Sequence, residues 1–514
     1  MTRWFRPVNR DQGCLLPADM RSWLPPDHLA WQVIEVTGQL DLAGFAAAYR
    51  ADGQGQAPYD PAMMAGLLLY CYFKGIRSSR KIAAACIDDV GCLVICGGAS
   101  PSHRAVAEFI RRHRPEIRRL FVQVLSLLAA EGAVAGHTAA VDGSPVSGNA
   151  SRFANLDGDQ LARRIAAAEA AIDAGAEAWL AGADGADSQQ PLWDDDEDPP
   201  PGGGPGGGVP RRLAGLAAKL ARLRAAGGKL AERQAAPGGP AARIDAAQHA
   251  VQDAARRLEA AEAAQNAKMD ACAAAVAAGK AWRYGKKPVP PERSVRVARV
   301  RKNLATAQAR LDAARQAAAA SPAKVSATDP DSRLLPAKNG GWLQGWNLQL
   351  TAARRQVLLA AGLHDNPADA GALAAMIAAA TANCELAGLA GRIRGWLADN
   401  GYASAASFAE LDHLMLLVAV RREAAQAGRA GAAGALPEGW EKMAARLATP
   451  AGKSLYRRRA ALVEPAFAQF FARFGRYLNY RGRDAVDTEI KLLATVHNLG
   501  KLLDYRRRQA ALAT

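Results

Sequence analysis

The run His137-Thr138-Ala139-Ala140-Val141-Asp142-Gly143-Ser144 constrains the fold more than any other stretch of this chain. A short apolar segment ends in a single carboxylate, and a glycine follows at once. The pattern predicts a buried strand that delivers Asp142 to the carboxyl edge of a sheet, with Gly143 turning the chain. Ligands of open α/β sheets bind at this edge. A strand-end Asp also serves as a turn cap, so a functional reading needs further acids. Two qualify. Ile393-Arg394-Gly395-Trp396-Leu397-Ala398-Asp399 reads as a second strand ending in Asp. Glu464 lies in the apolar helical stretch Ala460 to Phe467, where a helix can turn it inward. A buried carboxylate without a partner is costly, so a cation is expected beside it.

The segments between these acids predict an α/β fold with a mixed sheet and helices on both faces. Gly345 to Leu350 and Gln356 to Ala360 read as a hairpin joined near Ala352-Ala353-Arg354. Thr328 to Arg333 reads as a turn, Ala368 to Ala387 as an amphipathic helix stopped by Gly388, Ala403 to Glu410 as a short helix, and Met415 to Val420 as one more buried strand. The expected order is three strands, helix, strand, helix, strand, helix, with Glu464 on the last helix.

Three regions differ in character. Residues 1–130 predict an all-α N-terminal domain. Asp27 is placed to cap a helix after Pro25-Pro26, Asp60-Pro61 to open another, and Ser102 to cap a third. Arg77 and Arg80 stand near one helix start, and Arg104, Arg111 and Arg112 along another. Short helices with Arg at their starts suit a helix-turn-helix DNA reader, and a solvated basic face fits equally well. Residues 156–324 are rich in Ala, Glu, Arg, Gln and Lys. They predict a long helical insertion with two long helices, Arg243 to Ala264 and Ser294 to Ala319, as an antiparallel pair. The acidic run Asp194 to Asp198 and the Pro/Gly run Pro199 to Pro210 read as flexible low complexity. Residues 131–155 together with 325–510 would form the sheet domain that the insertion interrupts.

The 514 residues carry 65 Lys and Arg against 49 Asp and Glu, a net charge of +16. This balance points to a polyanionic partner, most simply nucleic acid, with a membrane surface as the competing reading. No apolar run is long enough to cross a membrane, and the N-terminus lacks a signal-peptide core, so a cytoplasmic protein is expected. The 7 cysteines show no Cys-x-x-Cys and no paired Cys/His spacing, which argues against zinc and for reduced, mostly buried thiols. Three convergent carboxylates instead suit hard divalent cations such as Mg²⁺. A pair of such ions activates an attacking oxygen and stabilises a leaving one in phosphoryl transfer.

Taken together these blocks resemble bacterial insertion-sequence transposases of the DDE type, in the group numbered eleven eighty-two with an InsH-like N-terminal domain. Tyr59-Asp60-Pro61-Ala62-Met63-Met64 and Gly75-Ile76-Arg77-Ser78-Ser79-Arg80 are similar to the N-terminal signature. Val141-Asp142-Gly143-Ser144 resembles the first Asp block, Leu397-Ala398-Asp399-Asn400-Gly401-Tyr402 the second, and Tyr456 to Phe467 the Glu block. Asn347-Leu348-Gln349 and His497-Asn498-Leu499 complete the match. The resemblance implies an RNase H-like catalytic fold and metal-dependent strand cleavage and transfer at the ends of a mobile element. It implies Asp142, Asp399 and Glu464 as ligands of Mg²⁺, two ions with Mn²⁺ as a substitute, and Tyr456 and Arg459 as residues that position DNA. It implies double-stranded DNA as partner, and a homo-oligomer in the synaptic complex. The sequence departs from the family at Phe471, where Lys is common, with Arg473 and Arg476 nearby to compensate; at Asn400, where Ala is usual; and at Ser102 and Trp346. A catalytically inactive, basic DNA-binding remnant is the alternative.

Overall fold

The computed structural model describes residues 8–10, 19–50, 57–180, 211–236, 239–278, 287–320, 322–337, 340–420 and 438–513. The chain divides into two compact units: residues 1–152 with 331–514, and residues 153–330.

The first unit begins with seven helices: α1 (Leu29–Gly38), α2 (Ala43–Ala47), α3 (Pro61–Phe73), α4 (Ser79–Asp88), α5 (Val90–Ile95), α6 (His103–Arg112) and α7 (Arg114–Ala130). The expected caps form at two of them. Asp60 accepts from Met63 N at 2.8 Å, with Pro61 in the first turn of α3, and Ser102 Oγ accepts from Ala105 N at 3.2 Å. At α1 the cap is His28, whose Nδ1 accepts from Ala30 N at 3.1 Å, and not Asp27. The chain enters that helix one residue later than the Pro-Pro-Asp pattern suggests.

The sheet starts with β1 (Thr138–Ser147), and this strand corrects the opening expectation. Asp142 lies in mid-strand, and Gly143 does not turn the chain. Gly143 is needed for space. A Cβ there would stand 2.1 Å from Asp369 Oδ1 and 2.3 Å from Gln349 Nε2. Pro145 is tolerated beyond it because no strand pairs with Pro145 on the side away from β5, where β1 is next bridged only at Ser147, to Tyr477. Its antiparallel neighbour β5 accompanies it to Ser147, while its parallel neighbour β7 pairs with Thr138 to Ala140 alone.

After the second unit the chain adds β4 (Arg333–Pro336), where only a turn was expected, then β5 (Trp342–Ala352) and β6 (Leu358–His364). The hairpin falls where the sequence put it. Next come α12 (Ala372–Leu386), β7 (Gly395–Ala398), α13 (Ala405–Glu410) and β8 (Met415–Val418). The unit closes with α14 (Glu438–Ala448), α15 (Pro450–Tyr456), α16 (Arg458–Phe474) and α17 (Arg483–Ala513). Glu464 therefore rides the penultimate helix, not the last. Residues 421–437, rich in Ala and Gly, lie outside the described residues.

The strand order is β4-β5-β1-β7-β8, with β6 also paired to β5. The pairings of β4, β1 and β6 with β5 are antiparallel, and those of β1 with β7 and β7 with β8 are parallel, so the sheet is mixed. Helices cover both faces. Residues opposite one another on neighbouring strands share a face. Gln349 stands opposite Gly143 and Gly362, and a Cβ at Gly362 would meet Met376 of α12 at 3.5 Å. Asp142 and Ser144 point to the other face, where Arg459 and Arg476, on and just beyond α16, reach them.

One apolar core runs from α1 through the sheet to α17. The last helix is buried over most of its length, from Ala485 to Leu503. It also finishes a sheet edge. The Asn498 side chain accepts from Leu358 N and donates to Leu358 O, both at 2.9 Å, as a neighbouring strand would. Four buried thiols lie among α3–α5: Cys71 and Cys92 are 3.6 Å apart at Sγ, Cys86 and Cys96 4.0 Å.

The second unit opens and closes on a short antiparallel pair, β2 (Asn155–Leu156) with β3 (Val325–Ser326). Between them run α8 (Gly158–Leu180), α9 (Arg211–Ala235), α10 (Pro240–Ala277) and α11 (Val295–Ala320). The helices α10 and α11 are the expected long pair, tied by Arg301 to Glu262 at 2.8 Å. A small core of Leu156, Leu161, Leu220, Leu223, Leu230 and Val325 holds α8 and α9 to the strand pair. The acidic run at 194–198 and the Pro/Gly run at 199–210 lie outside the described residues.

Candidate active site

Strand register brings two of the three acids together. Parallel pairing sets Thr138 beside Gly395 and Ala140 beside Leu397. Two residues further along both chains, Asp142 comes level with Asp399. Asp399 follows β7 immediately and caps the turn at Asn400–Tyr402, its Oδ1 accepting from Gly401 N at 2.8 Å. Asp142 Oδ1 accepts from Gly143 N at 2.8 Å, and its Oδ2 accepts from Arg459 Nη1 at 3.3 Å. Burial first, and then the charge of Asp399, push the Asp142 carboxyl up to about 6, against the pull of the Gly143 N–H and Arg459. Close carboxylates resist joint ionisation unless a cation joins them.

Glu464 behaves differently. Its side chain is 62% exposed, so the helix does not turn it inward. Leu462, Val463, Ala466, Phe467 and Phe470 take the buried face of α16, and Glu464 falls outside that stripe. It is still drawn toward the other acids, because Arg459 Nη2 lies 3.7 Å from Glu464 Oε1 while Nη1 holds Asp142. The guanidinium thus stands between two of the acids as a cation would. Nearby acids raise the Arg459 pKa, outweighing its burial. Hard carboxylate oxygens around a cation suit Mg²⁺ as a donor set. Among the described residues, no three His, Cys, Asp or Glu side chains already form a metal-holding group.

Tyr456, at the end of α15, donates to Ala398 O at 3.2 Å, one residue before Asp399. Its hydroxyl is held above its ordinary pKa by burial. Arg476 donates to Ser144 Oγ at 3.0 Å, and its guanidinium lies 3.8 Å from the centre of the Phe471 ring. A cation therefore covers the position where family members commonly carry Lys. Arg473 does not compensate in this way, because its guanidinium stacks on Phe73 at 4.1 Å.

Sequence reasoning missed Asp369. The expected helix from Ala368 starts at Ala372 instead, which frees Asp369 on a loop. Its Oδ1 accepts from Gln349 Nε2 at 2.7 Å and Asn347 Nδ2 at 3.0 Å, on the face opposite Asp142. Gln349 in turn accepts from Tyr402 OH. This network fills the space left by Gly143 and braces both acid-bearing strands from behind. The signal was available in Asn347-Leu348-Gln349, whose two amides share one face of a buried strand and so required a buried partner.

The N-terminal arginines divide. Arg77 is corrected: its side chain is 12% exposed and lies 3.6 Å from the buried Glu489 of α17, so it holds the core together and does not face DNA. Arg80 and Arg104 are exposed. Arg111 and Arg112 are exposed on α6 and pair with Glu108 at 2.7 and 3.3 Å.

Comparison with known families now adds an independent finding. Residues 18–112 match the family model described as Transposase domain (DUF772), and residues 435–503 match that described as Transposase DDE domain. No curated protein and no solved structure matches the chain. The fold defines a mixed α/β protein, and both matched segments carry transposase domains. Together the two matches support an insertion-sequence DDE transposase. Glu464, Tyr456 and Arg459 lie inside the second match, whereas Asp142 and Asp399 lie in the unmatched interval. Among the described residues, no helix is long and apolar enough to cross a membrane.

Proposed function

We propose that the protein cleaves and joins DNA strands at the ends of an insertion sequence of the group numbered eleven eighty-two. In this reading the sheet is RNase H-like, and Asp142, Asp399 and Glu464 hold divalent ions, Mg²⁺ in the first place. The observation that carries the reading is the parallel β1–β7 register, which sets Asp142 level with Asp399, together with the Arg459 bridge from Asp142 to Glu464. Bound Mg²⁺ would stabilise charge on the attacking and leaving oxygens of a phosphodiester. The protein's own part is positional. Gln349 and Asp369 fix the back of the sheet, Tyr456 pins the end of β7, and Arg459 keeps Asp142 and Glu464 oriented toward a common cation. Arg459 also offers a planar fork suited to phosphate.

The test is nicking of a labelled duplex carrying the element's ends, with Mg²⁺. Asp142→Asn is expected to lower the rate by about 10³-fold or more. Wild-type rates in that variant would overturn the assignment. The exposure of Glu464 favours one second reading, a DNA-binding remnant without catalysis. It predicts salt-sensitive binding with no nicking by the wild-type protein in Mg²⁺ or Mn²⁺.

A further inference from the structure

A second charged site lies at the opposite end of β1. A cleft of about 670 Å³ opens beside Thr138. Its walls bring together Arg354 and Arg355 of the β5–β6 turn, Arg458 at the start of α16, Lys501 and Arg508 of α17, and His137. The acid in its lining, Asp504, is engaged by Arg507 at 2.5 Å. Among the described residues, none of the four cleft arginines has a carboxylate at ion-pair distance. Burial lowers the Lys501 pKa, against the pull of Asp504 and with a smaller push from Arg473 and Arg508.

The backbone here is also unusual. Arg355 and Gln356 both occupy the left-handed region, at φ 62° and 58°, without being glycine. The strained turn is held in place by His497 Nε2, 2.8 Å from Gln356 O, and Arg355 lies over the Tyr505 ring at 5.8 Å. Strain held by surrounding structure is characteristic of binding sites. Its effect is to present two adjacent arginines to the cleft.

We infer that this cleft grips the sugar–phosphate backbone of the DNA strand whose reacting phosphodiester lies at Asp142. The inference rests on the function proposed above and assigns a new contact within it. Five cations drawn from three segments of the chain exceed what one small anion can engage, whereas consecutive phosphodiesters can use them all. Adjacent residues of α16 face the two sites: Arg459 holds Asp142, and Arg458 lines the cleft. Along β1 the sites are four residues apart, about 13 Å at strand rise. A duplex strand advances about 3.4 Å per phosphate, so the gripped phosphates lie about four nucleotides from the reacting bond.

The experiment uses the full chain and a fluorescein-labelled duplex carrying the element's ends. Binding is measured in EDTA across a salt series for wild type, for Arg355→Gln/Arg508→Gln, and for the charge-matched control Arg256→Gln/Arg257→Gln in α10. The cleft variant is expected to show a log–log salt slope shallower by about two, with the control unchanged. Phosphate-ethylation interference about four nucleotides from the nicked bond is expected in wild type and lost in the cleft variant. Equal slopes in the two variants, or interference unchanged by the cleft substitutions, would overturn the inference. So would stabilisation by inorganic phosphate alone that the cleft variant loses while its DNA slope stays wild-type. The two readings fail separately. An altered slope without nicking by wild type removes the catalytic reading and keeps the cleft. Normal nicking with an unchanged slope does the reverse.

Discussion

The sheet-bearing unit and the helical insertion are stabilised by different means. In the first, polar groups are buried within the core: Asn347, Gln349, Thr351, Glu489, Thr495, His497 and Asn498 are all at most 5% exposed. Most have partners that fix one strand or helix against another, as Asn498 does for β6 and Gln349 for the loop at Asp369. In the insertion the buried cluster is Leu, Ala and Val, and the ion pairs, such as Arg224–Glu169 and Arg301–Glu262, are solvent-exposed. Apolar burial tolerates small shifts, but a satisfied buried polar network does not. The unit that places Asp142 level with Asp399 is the one that uses such networks. The largest expected effect therefore belongs to the acids: Asp142→Asn or Asp399→Asn should abolish nicking while leaving the fold intact. Loss of the fold in Asp399→Asn, read by circular dichroism, would show the acid to be a structural cap of its turn.

Next in size is Glu489, the most deeply buried charge-bearing group of the sheet unit. It accepts from Asn479 N at 2.9 Å and Tyr480 N at 3.3 Å and lies 3.6 Å from Arg77. Burial nevertheless outweighs these contacts and pushes its carboxyl from 4.5 up to about 7. A folded pKa above the unfolded one means that the native state binds the extra proton. The stabilisation is therefore full below about pH 4.5 and lost as pH rises through about 7. A shift of this size corresponds to about 3 kcal/mol. Urea unfolding at pH 5 and pH 8 should show wild type losing stability over this interval relative to Glu489→Gln. Parallel pH profiles for the two proteins would mean that the Arg77 ion pair forms at full strength and keeps Glu489 ionised.

The same contrast explains what the sequence revealed. Hydrophobic alternation and strand-end acids located β1, β5, β6, β7 and β8, because a half-buried sheet writes its period into the chain. The long pair α10–α11 was equally legible from its helical period. What escaped notice depends on contacts between distant segments. Gly143 looked like a turn because glycine usually marks one, yet its missing side chain makes room for a carboxylate more than 200 residues away. Arg77 looked like a DNA contact because its partner, Glu489, is remote in sequence. Glu464 looked inward-facing because its neighbours are apolar, yet the phase of α16 leaves it outside the buried stripe.

One substitution made twice sharpens the comparison at the smallest scale. Gly143→Ala puts a methyl group against Asp369 Oδ1 and Gln349 Nε2, both within 2.3 Å of the new carbon. Those atoms end flexible side chains, but Gln349 is 1% exposed and tied to Asn347, Asp369 and Tyr402, so it has little room to yield. The expected cost is about 1–3 kcal/mol, with weaker nicking as β1 shifts against its neighbours. Gly228→Ala in α9 meets nothing within 4 Å. There the alanine only restricts the unfolded chain and favours helix, so a gain of about 0.5–1 kcal/mol is expected, with nicking unchanged. Thermal melts of both variants at one pH give the two signs directly. Equal losses at both sites would mean that α9 is packed as tightly as the sheet, and the distinction between the two units would fall.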